Sequence, residues 1–284
     1  MRKVGIVCDL TYTRHPCFRN YYRAIVSLYG AAVIVKSPTD LEGLDILFIG
    51  DDHWYNHKII WQQPDFIDKC NTDKIKVVIF TTERILNSSF PWNMENLEFI
   101  KELNEVYHYT SDVDDCIELG TKLNRVRMSE HFKDYITVPD KKIDKIVFIG
   151  NTNCLCSSYE NRVKTLAEIN ETMPLYMIPS IIETWEEYMA TIAKYRFVLS
   201  PVGNGNMFPM RFYEILLTKS IPIQQVRSNT LQYYETEANL KDCIYFQEAS
   251  ELPEKIKNFT LDRSNTEFWL EDYIRGLLQE EGLI

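Results

Sequence analysis

Residues 195–223 hold the densest group of side chains able to meet a phosphorylated ligand. An apolar run ends at Ser200, Gly203-Asn204-Gly205-Asn206 follows, and Pro209 stands where a helix would begin. A glycine-bearing loop lets backbone approach a ligand, proline suits the first helical position, and a helix N-terminus carries partial positive charge. Together they make a phosphate site by geometry. Arg211 falls in the first turn, where a guanidinium can grip two oxygens of a pyrophosphate. Glu214 comes three residues later on the same helix face and could accept from two ribose hydroxyls. The plain alternative is an i,i+3 ion pair on a solvated surface, with Phe212, Ile215 and Leu216 turned to the core. Gly203-x-Gly205-x-x-Phe208 falls short of a dinucleotide fingerprint, because its third position is Phe.

Carboxylates gather where other apolar runs end. Asp9 follows the first run, Asp51 and Asp52 follow residues 46–49, and Glu83 follows residues 77–81. Each could act as a general base, or cap the helix that comes next. His15, His53, Trp54, Tyr55 and Trp92 lie in the same or neighbouring loops. An aromatic face there can stack on the apolar face of a pyranose, or anchor its loop to the core. Asp112-x-Asp114 has the spacing of a divalent-metal site, but Ser111 with Asp114 three residues on fits a helix start better. The seven cysteines, at 8, 17, 70, 116, 154, 156 and 243, contain no C-x-x-C pair. No zinc cluster, disulfide framework or other metal set is expected.

The elements that must position these residues alternate. Apolar runs too short for helices, at 4–10, 32–35, 46–49, 77–81 and 106–109, read as buried parallel strands. Helical spacing marks 18–28, 93–103 and 112–123 between them. Periodicity lapses over 126–142, and a new strand opens at 145–150. The second half then alternates again, with strands at 175–178, 197–200, 221–225 and 244–246 and helices at 159–169, 184–194, 209–219 and 252–259. A last amphipathic helix covers 267–278. The pattern predicts an α/β protein of two Rossmann-like, doubly wound parallel-sheet domains facing across a cleft, with ligands at the strand ends. The expected division is 1–135, 136–262 and a C-terminal piece, 263–284, that packs back on the first domain.

Composition sets limits on partners. With 284 residues, 45% hydrophobic and 25% charged, the chain has material for two cores, and its 13% aromatic content suits a sugar or base. The charge, 31 minus 41 or −10, argues against a nucleic-acid surface. The first 135 residues carry 16 basic against 20 acidic side chains (−4) and the rest 15 against 21 (−6), so neither half is a basic arm. Mean hydropathy is −0.26, and no run reaches the ~20 apolar residues of a membrane span. A cytoplasmic protein with no membrane span is expected.

RFVLSPVG, continued by RFYEILLTKSIPI, resembles the donor-site signature of GT-B glycosyltransferases, especially the exostosin-like group. That pattern runs R-F-x-L-x-P-x-G…R-F-x-E-x-L-x-x-G-x-I-P, and this chain departs from it with Lys219 in place of the last Gly. The match is close over 195–223 and loose along nearly the whole chain. The small size resembles exostosin-like transferases of large DNA viruses, some of which move xylose.

The resemblance implies an acceptor domain followed by a domain that binds a UDP-sugar as co-substrate. It implies donor contacts at Gly150, Asn151, Thr152 and Arg162 as well as at Gly203, Asn204, Gly205, Asn206, Arg211 and Glu214. A base pocket would form near Pro179 and Ser180. With Arg162 and Arg211 against the diphosphate, no metal or other cofactor is required. Transfer to a carbohydrate hydroxyl by inversion then needs a base from among Glu83, Asp51, Asp52 and Asp9. Glu83 has one further support, since Ile-Phe-Thr-Thr-Glu resembles the stretch that carries the catalytic carboxylate in a phage transferase glucosylating modified cytosine. His15, His53, Trp54, Tyr55 and Trp92 would meet the acceptor. The rival readings are a non-catalytic nucleotide-sugar or carbohydrate-binding module, a DNA-base glucosyltransferase, which the −4 balance opposes, and an NAD-dependent oxidoreductase.

Overall fold

The structure is a computed structural model. It describes residues 2–8, 17–50, 60–82, 85–86, 92–125, 127–150, 152, 157–179, 184–202, 209–227, 230, 242–261 and 269–284. The chain forms two compact units. Unit 1 is built from Met1–Arg125, Ser129–His131 and Trp269–Ile284, and unit 2 from Val126–Met128 and Phe132–Phe268.

Unit 1 holds strands β1 (Val4–Val7), β2 (Val33–Ile34), β3 (Ile46–Gly50), β4 (Lys76–Thr81), β5 (Val106–Thr110) and β6 (Lys122–Leu123). They form one parallel sheet in the order β2-β1-β3-β4-β5-β6. Helices α1 (Cys17–Tyr29), α2 (Phe66–Thr72), α3 (Trp92–Lys101) and α4 (Val113–Leu119) connect them. Alternate strand residues point to opposite faces, and both faces are covered, so the strands read as unbroken apolar runs. Leu47, Ile49, Val77 and Ile79 pack with Phe66, Cys70, Leu97 and Ile100 on one side. Ile46, Phe48, Val78 and Phe80 pack with Tyr21, Ala24 and Ile25 on the other.

Unit 2 repeats the plan. Strands β7 (Ile143–Gly150), β8 (Leu175–Pro179), β9 (Tyr195–Ser200), β10 (Ile221–Gln225) and β11 (Ile244–Phe246) form a parallel sheet in the order β11-β10-β9-β7-β8. Its helices are α5 (Ser157–Thr172), α6 (Trp185–Ala193), α7 (Met210–Leu217) and α8 (Leu252–Lys257). Ile146, Phe148, Phe197, Leu199, Ile221 and Ile223 meet Leu166, Ile169 and Leu252 in one core. Helices α6 and α7 pack on each other and on β9.

Counted from the first strand of each unit, both sheets contain the order 2-1-3-4-5, the doubly wound arrangement in which connections leave the first and third strands in opposite directions. The switch points lie between β1 and β3 and between β7 and β9. Ligands of such sheets bind at the carboxyl ends there.

Three local expectations need correcting. The helix expected over 112–123 stops at Leu119, because Gly120 takes a left-handed conformation (φ 67) that ends it, and residues 122–123 pair with β5 as β6. Asp112, not Ser111, is its N-cap: the carboxylate accepts from the backbone N–H groups of Asp114 and Asp115 at 3.0 and 3.2 Å. Helix α2 was not foreseen.

The last helix, α9 (Leu270–Glu280), belongs to unit 1. Leu270, Ile274 and Leu278, with Leu283 beyond it, join Val4, Ile6, Ile46 and Phe48 in the second core of that unit. Polar groups fix the helix on its flanks. Buried Glu271 accepts from Ser129 Oγ and, at 3.0 Å, from Glu130 N, while Tyr273 Oη donates to Leu123 O and accepts from Arg125 N. Among the described residues no helix is long and apolar enough to cross a membrane.

Candidate functional site

Gly150 ends β7 at the switch point of unit 2, in register with Pro179 of β8. A Cβ placed there would lie 2.9 Å from Arg211 Nη2, 3.2 Å from Nη1 and 2.9 Å from Phe148 Cζ. The missing side chain is what lets the guanidinium lie against the strand end. Arg211 also stands over the Phe148 ring, 5.4 Å from its centroid, where a cation is attracted to the aromatic face. Its helix, α7, starts after Pro209 (φ −61, ψ 147) with no side-chain cap. The partial positive charge of that helix end adds to the arginine at the same edge.

A chain of hydrogen bonds lies behind Arg211. Its Nε donates to Tyr188 Oη at 3.2 Å and Trp185 Nε1 donates to Glu214 Oε1 at 2.8 Å, while Tyr188 and the Arg211 charge both favour the ionised Glu214 carboxylate. Helix α6 supplies Trp185 and Tyr188, and α7 supplies Arg211 and Glu214. Each pair is spaced i,i+3 and so shares a helix face. Thr184 caps α6 by accepting from Glu187 N at 3.2 Å, and the Phe132 ring meets Trp185 edge-on at 5.0 Å, which holds the indole in place.

Glu214 is only 6% exposed. Burial pushes its carboxyl above the usual range, opposed by Trp185, the Arg211 charge and Tyr188. Burial likewise raises the Tyr188 phenol. The alternative of a solvated surface pair is therefore set aside. Phe212, Ile215 and Leu216 are buried as expected, and Glu214 is buried with them.

Elsewhere in unit 2, Arg162 lies on α5 and is 8% exposed, and Thr152 is half-buried just past β7. Gln225, at the end of β10, accepts from Val202 N at 3.2 Å and donates to Thr165 Oγ1 at 3.1 Å, tying the start of the loop after β9 to α5. Asn151, Ser180, Gly203, Asn204, Gly205 and Asn206 lie outside the described residues. Tyr188, Trp185 and Gln225 are the polar groups that sequence reasoning missed. The trace of Trp185 and Tyr188 in the sequence is a helix carrying two polar-tipped aromatics three residues apart, and Gln225 leaves none.

In unit 1 the candidates Asp9, His15, Asp51, Asp52, His53, Trp54, Tyr55 and Glu83 also lie outside the described residues, as does the Trp92 side chain. The strands they follow are described. β1 and β3, which precede Asp9 and the Asp51/Asp52 pair, flank the switch point of this sheet. Asp115, fully buried, accepts from Ile85 N at 2.6 Å and Leu86 N at 2.9 Å, and so anchors the chain just past Glu83. Among the described residues no group of three His, Cys, Asp or Glu is placed to hold a metal ion.

No family model matches the chain, and neither does any curated protein sequence. Among solved structures it is similar to a crystal structure of an alpha1,3-fucosyltransferase, at 12% identity and a TM-score of 0.46, over 98% of this chain and 88% of that one. A likeness of that size carries no weight for fold or activity, and the architecture stands on the two strand orders themselves.

Proposed function

We propose that the chain is a glycosyltransferase with an exostosin-like donor site, holding a UDP-sugar at the carboxyl end of β7 and passing its sugar, xylose in the narrower form of the reading, to a carbohydrate hydroxyl. The observation that supports it most is the Arg211 guanidinium over Gly150 at the switch point of unit 2, within the segment that resembles a donor-site signature.

In this reading Arg211 grips the diphosphate, Gly150, Asn151 and Thr152 bring backbone to it, and Arg162 adds a second positive charge. Pro179 and Ser180 lie toward the base, Gly203, Asn204, Gly205 and Asn206 line the loop, and Glu214 belongs to the same cluster. The bond from the anomeric carbon to the diphosphate breaks with its electrons on the departing oxygen. That charge is met by guanidinium groups and a helix N-terminus, so the mechanism asks for no metal. The acceptor oxygen attacks from the opposite face, with inversion, and its proton goes to a carboxylate. Glu83, Asp51, Asp52 and Asp9 are the candidates for that base. His15, His53, Trp54, Tyr55 and Trp92 are proposed for the acceptor.

A thermal-shift screen across UDP- and GDP-sugars identifies the donor, because a ligand that binds only the folded state stabilises it. With that donor, Arg211→Ala is expected to lose roughly 10- to 100-fold in transfer efficiency, the equivalent of about 1.5–3 kcal/mol for a charged hydrogen bond. Gly150→Ala must displace both the guanidinium and the buried Phe148 ring, and should lose transfer in the same way together with some stability. Full transfer activity in both Arg211→Ala and Glu214→Ala removes the reading.

A further inference from the structure

We propose that Tyr188, backed by Glu214 and Trp185, is a positioning residue that fixes the Arg211 guanidinium over Gly150 for a diphosphate. The proposal rests on the donor-site reading above and adds to it how the arginine is held.

An arginine on a helix's first turn ordinarily samples many rotamers, and ordering it on ligand binding costs side-chain entropy. Here the order is built in. Arg211 Nε is taken by Tyr188 Oη at 3.2 Å, so the two Nη atoms form the fork that stands over Gly150. A fork of two N–H groups is the geometry that grips paired phosphate oxygens. Tyr188 also acts on Glu214, where it and the Arg211 charge favour the ionised carboxylate, so hydroxyl, guanidinium and carboxylate form one cluster. Trp185 Nε1, 2.8 Å from Glu214 Oε1, holds the carboxylate itself.

The direction of the chain matters. Glu214 is 6% exposed and held by the Trp185 indole of α6, so it acts on a ligand through Arg211. Its negative charge also balances the arginine in the protein interior. Residues that lock the rotamer of a binding group in this way raise affinity by reducing what binding must order.

The test compares binding of UDP and of inorganic pyrophosphate by calorimetry with binding of uridine by ligand-observed NMR. Tyr188→Phe removes one oxygen and keeps the ring packed. It is expected to weaken UDP and pyrophosphate about tenfold, with uridine affinity unchanged. Glu214→Gln, which keeps the size of the side chain, should weaken the same two ligands in the same way and serves if Tyr188→Phe does not fold. Arg211→Ala is the control for the donor-site reading. If Arg211→Ala loses UDP while Tyr188→Phe and Glu214→Gln bind it like the unmodified protein, the positioning role is overturned and the donor site stands. If uridine weakens in parallel with UDP in Tyr188→Phe, the residue is merely structural and the proposal fails. If Arg211→Ala binds UDP and pyrophosphate normally, or the unmodified protein binds neither, the donor-site reading fails and this one with it.

Discussion

His108 sits in mid-strand on β5, in register with Ile79, and shares a 2.8 Å hydrogen bond with Thr81 Oγ1. Burial lowers its pKa from 6.5 to about 4, so the ring stays neutral in the folded protein where the unfolded chain would already hold a proton. Between those two values the unfolded state binds more protons. The His108 contribution to stability is therefore complete above pH 6.5 and falls as the pH drops toward about 4, by up to about 1.4 kcal/mol per pH unit. Urea midpoints taken across that range should decline more steeply for the unmodified protein than for His108→Gln, which has no proton to gain. Equal slopes would mean the ring is not buried as described. Glu214 carries the opposite sign: burial raises its carboxyl, so its ionised form costs stability once the pH passes the ordinary glutamate range.

The end of α7 shows how an element can carry a misfit. Lys219 takes φ 55, a left-handed turn that closes the helix through Lys219 N to Leu216 O at 2.9 Å and Ser220 N to Ile215 O at 3.3 Å. A side chain in that conformation costs about 1–2 kcal/mol, while glycine gives back about 0.4–1 kcal/mol through a freer unfolded chain. Lys219→Gly should therefore raise stability by about 0.5–1 kcal/mol by urea unfolding, and a loss would show that Lys219 earns its place by contacts. Lys142 secures the same corner, its Nζ donating to Ala193 O, Thr218 O and Ser220 Oγ at 2.6, 2.9 and 2.9 Å. Strands β3, β4, β7 and β9 were legible as unbroken apolar runs because helices cover both faces of each sheet. Helix α2 was not, since its seven residues carry too little periodicity, and β6 is masked by a helical spacing that runs on through residues 112–123 although Gly120 stops the helix. In the site, Pro209 and the i,i+3 spacing pointed to Arg211 and Glu214. Tyr188 and Trp185 stayed hidden because their bonds join helices 23 and 29 positions apart, a contact that local spacing does not encode.

At the scale of the molecule, the chain leaves unit 1, builds unit 2 and returns, so the first unit is completed by Trp269–Ile284. Leu270, Ile274, Leu278 and Leu283 are all 0% exposed and cover Val4, Ile6, Ile46 and Phe48 on one face of the sheet. At about 1.5–3 kcal/mol for each buried aliphatic side chain, their summed burial is comparable to the whole ~5–15 kcal/mol stability of an ordinary domain. Arg2 reinforces the closure by donating to the Leu283 and Gly282 carbonyls, and Glu281 does so through Lys122 and Tyr109. A chain truncated after residue 268 is therefore expected to lose amide-exchange protection throughout β1, β3 and β4, while β7, β9 and β10 keep theirs, because among the described residues the cluster that packs on those strands takes none from the missing segment. Ile274→Ala in the full chain should cost about 2–5 kcal/mol, with the loss confined to the exchange of unit 1. Protection of β1 and β3 that survives truncation would show that the sheet of unit 1 closes without α9, and that its apolar face is covered by something else.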